Sequence, residues 1–403
     1  AKMRALAISI LTLAVAAAAL PAPGQVARAD GTVRIATFNA SMFRPKAGQL
    51  AAELGDGESA HIQAVAAILQ RVRPDIVLIN EFDFDRASAG AFAKNYLEVG
   101  QGGGLSPIAY AHRFIAPSNT GVATGFDLDN NGEVGGPGDA QGFGFFDGQY
   151  GMLVLSRYPI LENEARTFQN FRWTEMPGNR LEDIAGPEGF YSVEEAEVLR
   201  LSSKSHWDVP VDLEACVLHL LTAHPTPPVF DGEEDRNGRR NADEIRLWAD
   251  YVAGADYIVD DNGRTGGLAE GALFAIAGDY NADRLDGDGR REAIAALLAS
   301  GLLTDPGAAS FGGEEASRLQ GGKNQSHSGA AGLDTADFGD VEAWDPGNLR
   351  VDYVLPASRL QLLDAGVFWP AEAEADRELL ALADGTPVSD HHLVWADIAC
   401  PAE

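Results

Sequence analysis

Basic residues are scarce in this 403-residue chain: 30 Lys and Arg stand against 60 Asp and Glu, a formal charge of −30. A protein that grips duplex nucleic acid usually carries a basic stripe to neutralise phosphates. None is visible, and the short cluster "RNGRR" (236–240) sits among acids. Nucleic acid is therefore disfavoured as a partner. Cysteine is nearly absent, with only Cys216 and Cys400, so at most one disulfide can form. Uninterrupted apolar runs of about 18 residues are missing beyond the N-terminus, which leaves no further membrane-spanning helix to expect. No internal repeat and no clear linker divides the chain.

What is present at the N-terminus is a targeting pattern. Lys2 and Arg4 precede an apolar stretch from Ala5 to Leu20, then Pro21, then "VARAD" with small residues at Ala27 and Ala29. A charged start, an apolar middle and an A-x-A end predict a signal peptide over 1–29. The mature chain then begins near Asp30 and is secreted or periplasmic, without stable membrane insertion after cleavage. An uncleaved anchor is the alternative. The remaining residues, 30–403, have ordinary globular composition and are expected to form one large domain.

Seven apolar runs read as strands: 32–40, 75–83, 150–160, 215–225, 273–283, 350–357 and 392–398. Three stretches carry apolar positions at helical spacing and end at Pro or Gly: 59–74, 240–254 and 290–301. Strands outnumber helices without strict alternation, which predicts packed sheets with helices outside. Segments 100–149, 161–210 and 305–348 read as long loops, and loops of that length hint at binding roles.

The strand ends share a chemistry. They present Asn39; Glu81; His224; Asp279 with Asn281; and Asp390 with His391, while Asp352 lies within a further strand. Burying a carboxylate costs several kcal/mol unless it is paired, hydrogen-bonded or on a metal. Taken singly, Asn39 reads as a turn cap and Glu81 as a solvated acid. Asp352, inside an apolar strand, has no such bland account. Cys216 precedes His224 by eight residues and Cys400 follows His391 by nine. If both histidines lie at one end of their strands, both cysteines fall at similar depth toward the other. A disulfide and a pair of buried thiols both fit that arrangement.

In order, "IATFNA", "PDIVLINE", "GMLVLSRYPI", "AGDYNAD", "RVDYVLP" and "SDHHLVW" resemble the endonuclease/exonuclease/phosphatase superfamily, from about residue 33 to 398. That superfamily includes AP endonucleases, sphingomyelinases and inositol phosphate phosphatases. The resemblance implies a DNase I-like α/β (α+β) four-layer sandwich, two packed mixed β-sheets flanked by helices. It also implies roles. Asn39, Glu81 and Asp390 match the metal site, and oxygen ligands of this kind suit Mg²⁺, Mn²⁺ or Ca²⁺. Asp352 matches the acid that orients the catalytic His391, fixing its tautomer. Asp279 matches the residue that activates or orients water, with Asn281 and His224 on the phosphoryl oxygens. One departure stands out: members of the DNase kind pair an acid with the histidine matching His224, and none can be located here. Arg157, Arg350, Tyr150 and Arg240 are weaker candidates for phosphate contacts, with structural roles as the alternative.

A second motif lies at 125–139. Asp127, Asp129, Asn131 and Gly132 follow D-x-D-x-N-G, the opening of a calcium loop. The twelfth position holds Gly138 in place of a bidentate Glu, and Asp139 follows. A Ca²⁺ loop closed by Asp139 and a solvated Asx turn are both consistent with this. The expected function is a secreted, divalent-metal-dependent phosphoester hydrolase acting on small organic phosphates. An extracellular nuclease and a non-catalytic calcium-binding module are the alternatives.

Overall fold

The computed structural model describes residues 26–29, 31–342 and 345–402. The expected signal peptide therefore lies almost wholly outside the described residues. In chain order the first strands are β1 (Val33–Asn39), β2 (Ile76–Asn80), β3 (His112–Phe114), β4 (Met152–Ser156), β5 (Arg166–Thr167), β6 (His206–Asp212) and β7 (Val217–Ala223). They are followed by β8 (Leu273–Asp279), β9 (Ala336–Asp337), β10 (Asn348–Leu349), β11 (Asp352–Pro356), β12 (Gln361–Val367) and β13 (Val394–Ala399). The α-helices are α1 (Gln49–Asp56), α2 (Ala60–Val72), α3 (Ser88–Phe92), α4 (Val193–Val198), α5 (Arg236–Val252), α6 (Arg291–Leu298) and α7 (Phe311–Gln320).

Two mixed sheets result. One runs β12-β13-β1-β2-β4-β3, the other β11-β8-β7-β6-β5, and β9 with β10 forms a small separate ribbon. Only β1/β2 and β7/β8 are parallel. The sheets pack face to face, with β1 and β2 against β8 and β1 against β11. Alternation along β1 explains the layering. Asn39 reaches across to Asp279, and Thr37 donates to Asn80 of the neighbouring strand. On the opposite face, the Arg34 guanidinium donates to the Val72 carbonyl at the end of α2. The second sheet is covered by α5: His206 of β6 meets the Glu244 carbonyl, and Tyr251 donates to Asp208. Helix α6 packs on α5. This is the expected sandwich of two mixed sheets between helical layers.

All seven apolar runs form strands and all three periodic stretches form helices. Helix α2 starts at an N-cap, the Ser59 hydroxyl accepting from the Ile62 N–H, and ends at Arg73 in a left-handed conformation just before Pro74. The loop reading of 161–210 fails at its end, where "HWDVPVD" forms β6 and pairs along all of β7. Pro210 breaks the usual signature of that strand. The strand β12 and the helices α1 and α7 were likewise not foreseen. Among the described residues no helix is long and apolar enough to cross a membrane.

Cys216 and Cys400 form a disulfide with Cα atoms 6.0 Å apart, tying the start of β7 in one sheet to the end of β13 in the other. Both lie at the strand ends opposite His224 and His391, so of the two readings of these cysteines the paired one holds.

Candidate active site

Strand register brings the polar tips together. Strands β1 and β2 run parallel and end level, at Asn39 and Asn80, with Glu81 following. Strands β7 and β8 also run parallel, with Ala223 beside Gly278, so His224 and Asp279 emerge side by side. Gly278 is required there. It sits at φ +156°, and a Cβ would meet the Ala223 carbonyl oxygen at 2.1 Å. Strand β11 is antiparallel to β8 with Asp352 directly opposite Asp279. Strand β13 is antiparallel to β1, so the segment that precedes it, Ser389–Asp390–His391, arrives at the same end.

At the centre lies Asp279, which is buried. Its Oδ2 accepts from the Asn39 amide at 3.0 Å and lies 3.3 Å from His224 Nε2 and 3.6 Å from His391 Nε2. Its Oδ1 accepts from the Asn281 backbone N–H at 2.9 Å. Burial would raise this carboxyl. The imidazoles of His391 and His224, with the hydrogen bonds from His224 and Asn39, outweigh it and hold Asp279 well below the usual carboxylate range.

His391 donates from Nδ1 to Asp352 Oδ2 at 2.9 Å. Asp352 Oδ2 also accepts from the Thr335 hydroxyl at 2.8 Å, while its Oδ1 has no partner. Burial alone would push the imidazole down. Asp352, Asp279 and Asp390 prevail, and His391 is held well above the ordinary imidazole range. Phe338 packs edge-on against its ring at 5.4 Å. The backbone N–H of His391 donates to the Ser389 hydroxyl, which in turn donates to the Asn39 carbonyl, pinning this segment to the tip of β1. The neighbouring His392 turns away and stacks on Trp369 at 3.8 Å.

Glu81, half-buried, faces Asp390 and Asp279. Burial, then the charge of Asp390, push its carboxyl up to about 7, against the pull of His391 and the Asn39 amide. A carboxylate raised by its acidic neighbours becomes comfortable when a cation arrives. Glu81 and Asp390 with the Asn39 amide are hard oxygen donors and fit a divalent ion. Oxygen and nitrogen atoms of Asp279, Asp352 and His391 also lie within 4.8 Å of one another, close enough to hold a metal. Apart from Asp352 Oδ1, the atoms of this trio are engaged with each other, with Thr335, with Asn39, with His224 or with the Asn281 N–H. This trio and the Glu81 side with Asp390 are thus the two places where residues of the site could hold a cation.

His224 meets Asp279 through Nε2, at 3.3 Å. Among the described residues no acid faces its Nδ1, which is buried without a partner. Burial, aided by the nearby Lys204 charge, lowers its pKa to about 4, so it is a neutral imidazole. The side chain of Asn281 donates to the Pro225 carbonyl at 3.1 Å, holding the β7 and β8 tips together. Four residues at strand or loop tips here, Ser41, Glu81, Tyr150 and Asn281, adopt positive φ of 48–61°. Such conformations cost of order 1 kcal/mol or more each and cluster where function demands them.

Of the weaker candidates, three are structural. Arg350 pairs with Asp305, Arg157 with Asp75, and Arg240 donates to the Leu201, Gln141, Arg200 and Ser202 carbonyls. Tyr150 stays at the site, where its hydroxyl feels the charges of Glu81 and Asp83. Sequence reasoning missed Thr335, Ser389 and Asn80. Asn80 accepts from Thr37 and donates to the Ala223 carbonyl, bridging the two sheets behind the site.

At the second motif, Asp127, Asp129 and Asp139 offer oxygens within 4.8 Å of one another. Asn131 lies beside them, its N–H donating to Asp127 and Asp129 and its Oδ1 accepting from the Glu133 N–H. Backbone N–H groups of Leu128, Gly135 and Gly136 donate to Asp139, and those of Asn131 and Gly132 to Asp127.

The sequence pattern of the Endonuclease/Exonuclease/phosphatase family matches residues 36–391, a span running from β1 to His391. The chain belongs to this family. Among solved structures it is similar to an endonuclease/exonuclease/phosphatase from Beutenbergia cavernae, at 16% identity and TM-score 0.50, covering 92% of this chain and 72% of that one. It is also similar to sphingomyelinase C from Streptomyces griseocarneus, at 15% identity and TM-score 0.47, covering 91% and 99%. Identities this low speak for the family's fold, not for a substrate. No curated protein matches the sequence.

Proposed function

We propose that this protein is a secreted, divalent-metal-dependent phosphoester hydrolase acting on small organic phosphates. The observation that carries the reading is the buried row Asp352–His391–Asp279, with His391 hydrogen-bonded to Asp352 at 2.9 Å and its Nε2 3.6 Å from Asp279, set beside the oxygen donors Glu81, Asp390 and Asn39. A divalent ion held by those donors would neutralise charge on the phosphoryl oxygens. Asp352 fixes the His391 tautomer and stabilises its protonated form, so Nε2 presents a proton and a positive charge to the phosphoryl group. Asp279, kept ionised, accepts a hydrogen bond from the attacking water and aims its oxygen at phosphorus. Neutral His224 and the Asn39 amide hold Asp279 in that orientation.

The charge of −30 favours a small phosphate ester over duplex DNA. The N-terminal pattern and the Cys216–Cys400 disulfide support an oxidising, extracellular or periplasmic setting. A Ca²⁺ ion at Asp127, Asp129 and Asp139 belongs to the same reading, supported by the closeness of their oxygens. The test is one activity panel with Mg²⁺, Mn²⁺, Ca²⁺ or chelator on p-nitrophenyl phosphate, bis-p-nitrophenyl phosphate and plasmid DNA. Chelator-sensitive turnover of a small ester, abolished in His391→Ala, is the expected result. Plasmid cleavage at low enzyme with inert small esters would make the protein a nuclease, and no turnover at all would sink the reading.

A further inference from the structure

Lysine is rare in this chain, yet Lys204 is buried, 7% exposed, at the site end of the second sheet. Strand β6 begins at His206, opposite Ala223 of β7. Beyond that tip, the Ser203 and Thr226 N–H groups both donate to Glu244, which brings Lys204 close to the segment His224–Pro225–Thr226. Pro225 is the residue whose carbonyl holds Asn281. The segment is fixed from several sides. The Lys204 carbonyl accepts from the Asn119 N–H, and Ser203 N–H donates to Glu244, whose other oxygen accepts from the Thr226 N–H. Gly142 closes against it so tightly that a Cβ there would lie 1.8 Å from the Ser203 carbonyl oxygen.

This anchoring engages the backbone and leaves the side chain unspent. Among the described residues the Lys204 amine has no hydrogen bond and no ion pair within 4 Å, whereas buried arginines are paired, as Arg34 is with Asp397 and Arg166 with Asp260. Burial of most of this residue disfavours its charge, yet its nitrogen is not wholly enclosed. On the same two segments, Ser203 Oγ, Thr226 Oγ1 and His224 Nδ1 are buried without partners. Burial, with the Arg240 charge, lowers the Lys204 pKa, while Glu244, Glu81 and Asp279 act against it, and the last two are residues of the site. With His224 neutral, this flank holds one uncommitted cation beside an otherwise acidic set.

We propose that Lys204 is a phosphate-binding residue, its ammonium taking a non-bridging phosphoryl oxygen on the His224 flank, opposite the Glu81 flank. The proposal rests on the phosphoester reading above and adds the group that grips the substrate's anion. A lysine suits the task because its compact charge needs no fork geometry in a narrow, mostly enclosed position. A residue kept for function at the expense of stability has a signature that a structural counterion lacks.

The test compares wild type with Lys204→Met, Lys204→Gln and the exposed control Lys94→Met, all in Mg²⁺. Thermal melts are recorded with and without millimolar inorganic phosphate, and phosphate inhibition of bis-p-nitrophenyl phosphate turnover is titrated. Expected for both Lys204 variants are melting temperatures no lower than wild type, loss of the phosphate-induced rise, and a phosphate inhibition constant raised about 10- to 100-fold, the worth of a charge-assisted hydrogen bond. Lys94→Met should match wild type throughout. Phosphate stabilising the variants as it does wild type would overturn the proposal. So would a collapse of folding in both, which would make Lys204 the structural counterion of Glu244. If wild type hydrolyses no ester, the hydrolase reading fails, while the phosphate melts still judge Lys204 by themselves.

Discussion

Replacing Asp352 by Asn removes one charge and changes almost no volume, so it isolates what the buried carboxylate does for His391. At the 2.9 Å separation of the pair, an effective dielectric near 20 gives an attraction of about 6 kcal/mol. An amide at the same place still accepts a hydrogen bond from Nδ1–H, which returns about 1 kcal/mol. Part of the remainder is offset because the protonated imidazole also faces Asp279, 3.6 Å from Nε2. A deficit of about 3–5 kcal/mol in stabilising the charged His391 corresponds to a 10²- to 10⁴-fold fall in kcat. Stability should behave differently. Asp352 Oδ1 is buried without a partner, so exchanging the charge for an amide relieves a desolvation cost and leaves the melting temperature within a few degrees. The assay is turnover of bis-p-nitrophenyl phosphate at saturating Mg²⁺, beside a thermal melt of each protein. Asp352→Ala, which strands both His391 Nδ1 and the Thr335 hydroxyl, should lose as much activity and melt lower. Asp352→Asn within threefold of wild-type kcat would refute the reasoning and demote the relay to packing.

Further outcomes follow from other parts of the fold. The Cys216–Cys400 bond closes a separation of 184 residues, for which chain entropy gives about 5 kcal/mol as an upper value. The double serine variant should therefore melt roughly 5–10 °C lower. Its activity at 25 °C should be unchanged because the bond lies at the far strand ends, and a large activity loss with an unchanged melt would contradict that placement. Burial lowers the His206 pKa from 6.5 to about 4, so the unfolded chain binds its proton first as pH falls. The stability this contributes is full above pH 6.5 and is lost by about pH 4, some 3 kcal/mol in all. His206→Gln should shrink the drop in melting temperature between pH 7 and 4.5, and an undiminished drop would place the acid sensitivity elsewhere. Calcium should raise the wild-type melting temperature more than that of an Asp127→Asn, Asp129→Asn double variant. Equal rises would show the loop to be held by its own backbone hydrogen bonds.

Residues at strand tips were legible because two patterns coincide there. A buried strand announces itself by an apolar run, and an acid closing that run is conspicuous, as at Asp279 and Glu81. Asp352 was visible for a related reason, being a charge inside an apolar strand. Thr335 and Lys204 carry no such contrast. Each sits in a stretch without periodicity, and each matters only through neighbours more than a dozen residues away: Thr335 through Asp352, and Lys204 through Glu244 and His224. Strand β6 was hidden by the same lack of contrast, since the segment before it is acidic and Pro210 interrupts it. The missed acid partner of His224 is instructive in the other direction. An acid partner would suit a charged imidazole, whereas burial and then the nearby Lys204 keep this ring neutral. A cation on that flank makes a charged histidine there redundant and costly. The sequence motif and the local electrostatics thus disagree about His224, and the electrostatics should prevail: Lys204→Met should raise the His224 pKa, which an NMR titration of its ring protons can read. A His224 pKa unmoved by that substitution would return the anion-binding role on this flank to the histidine.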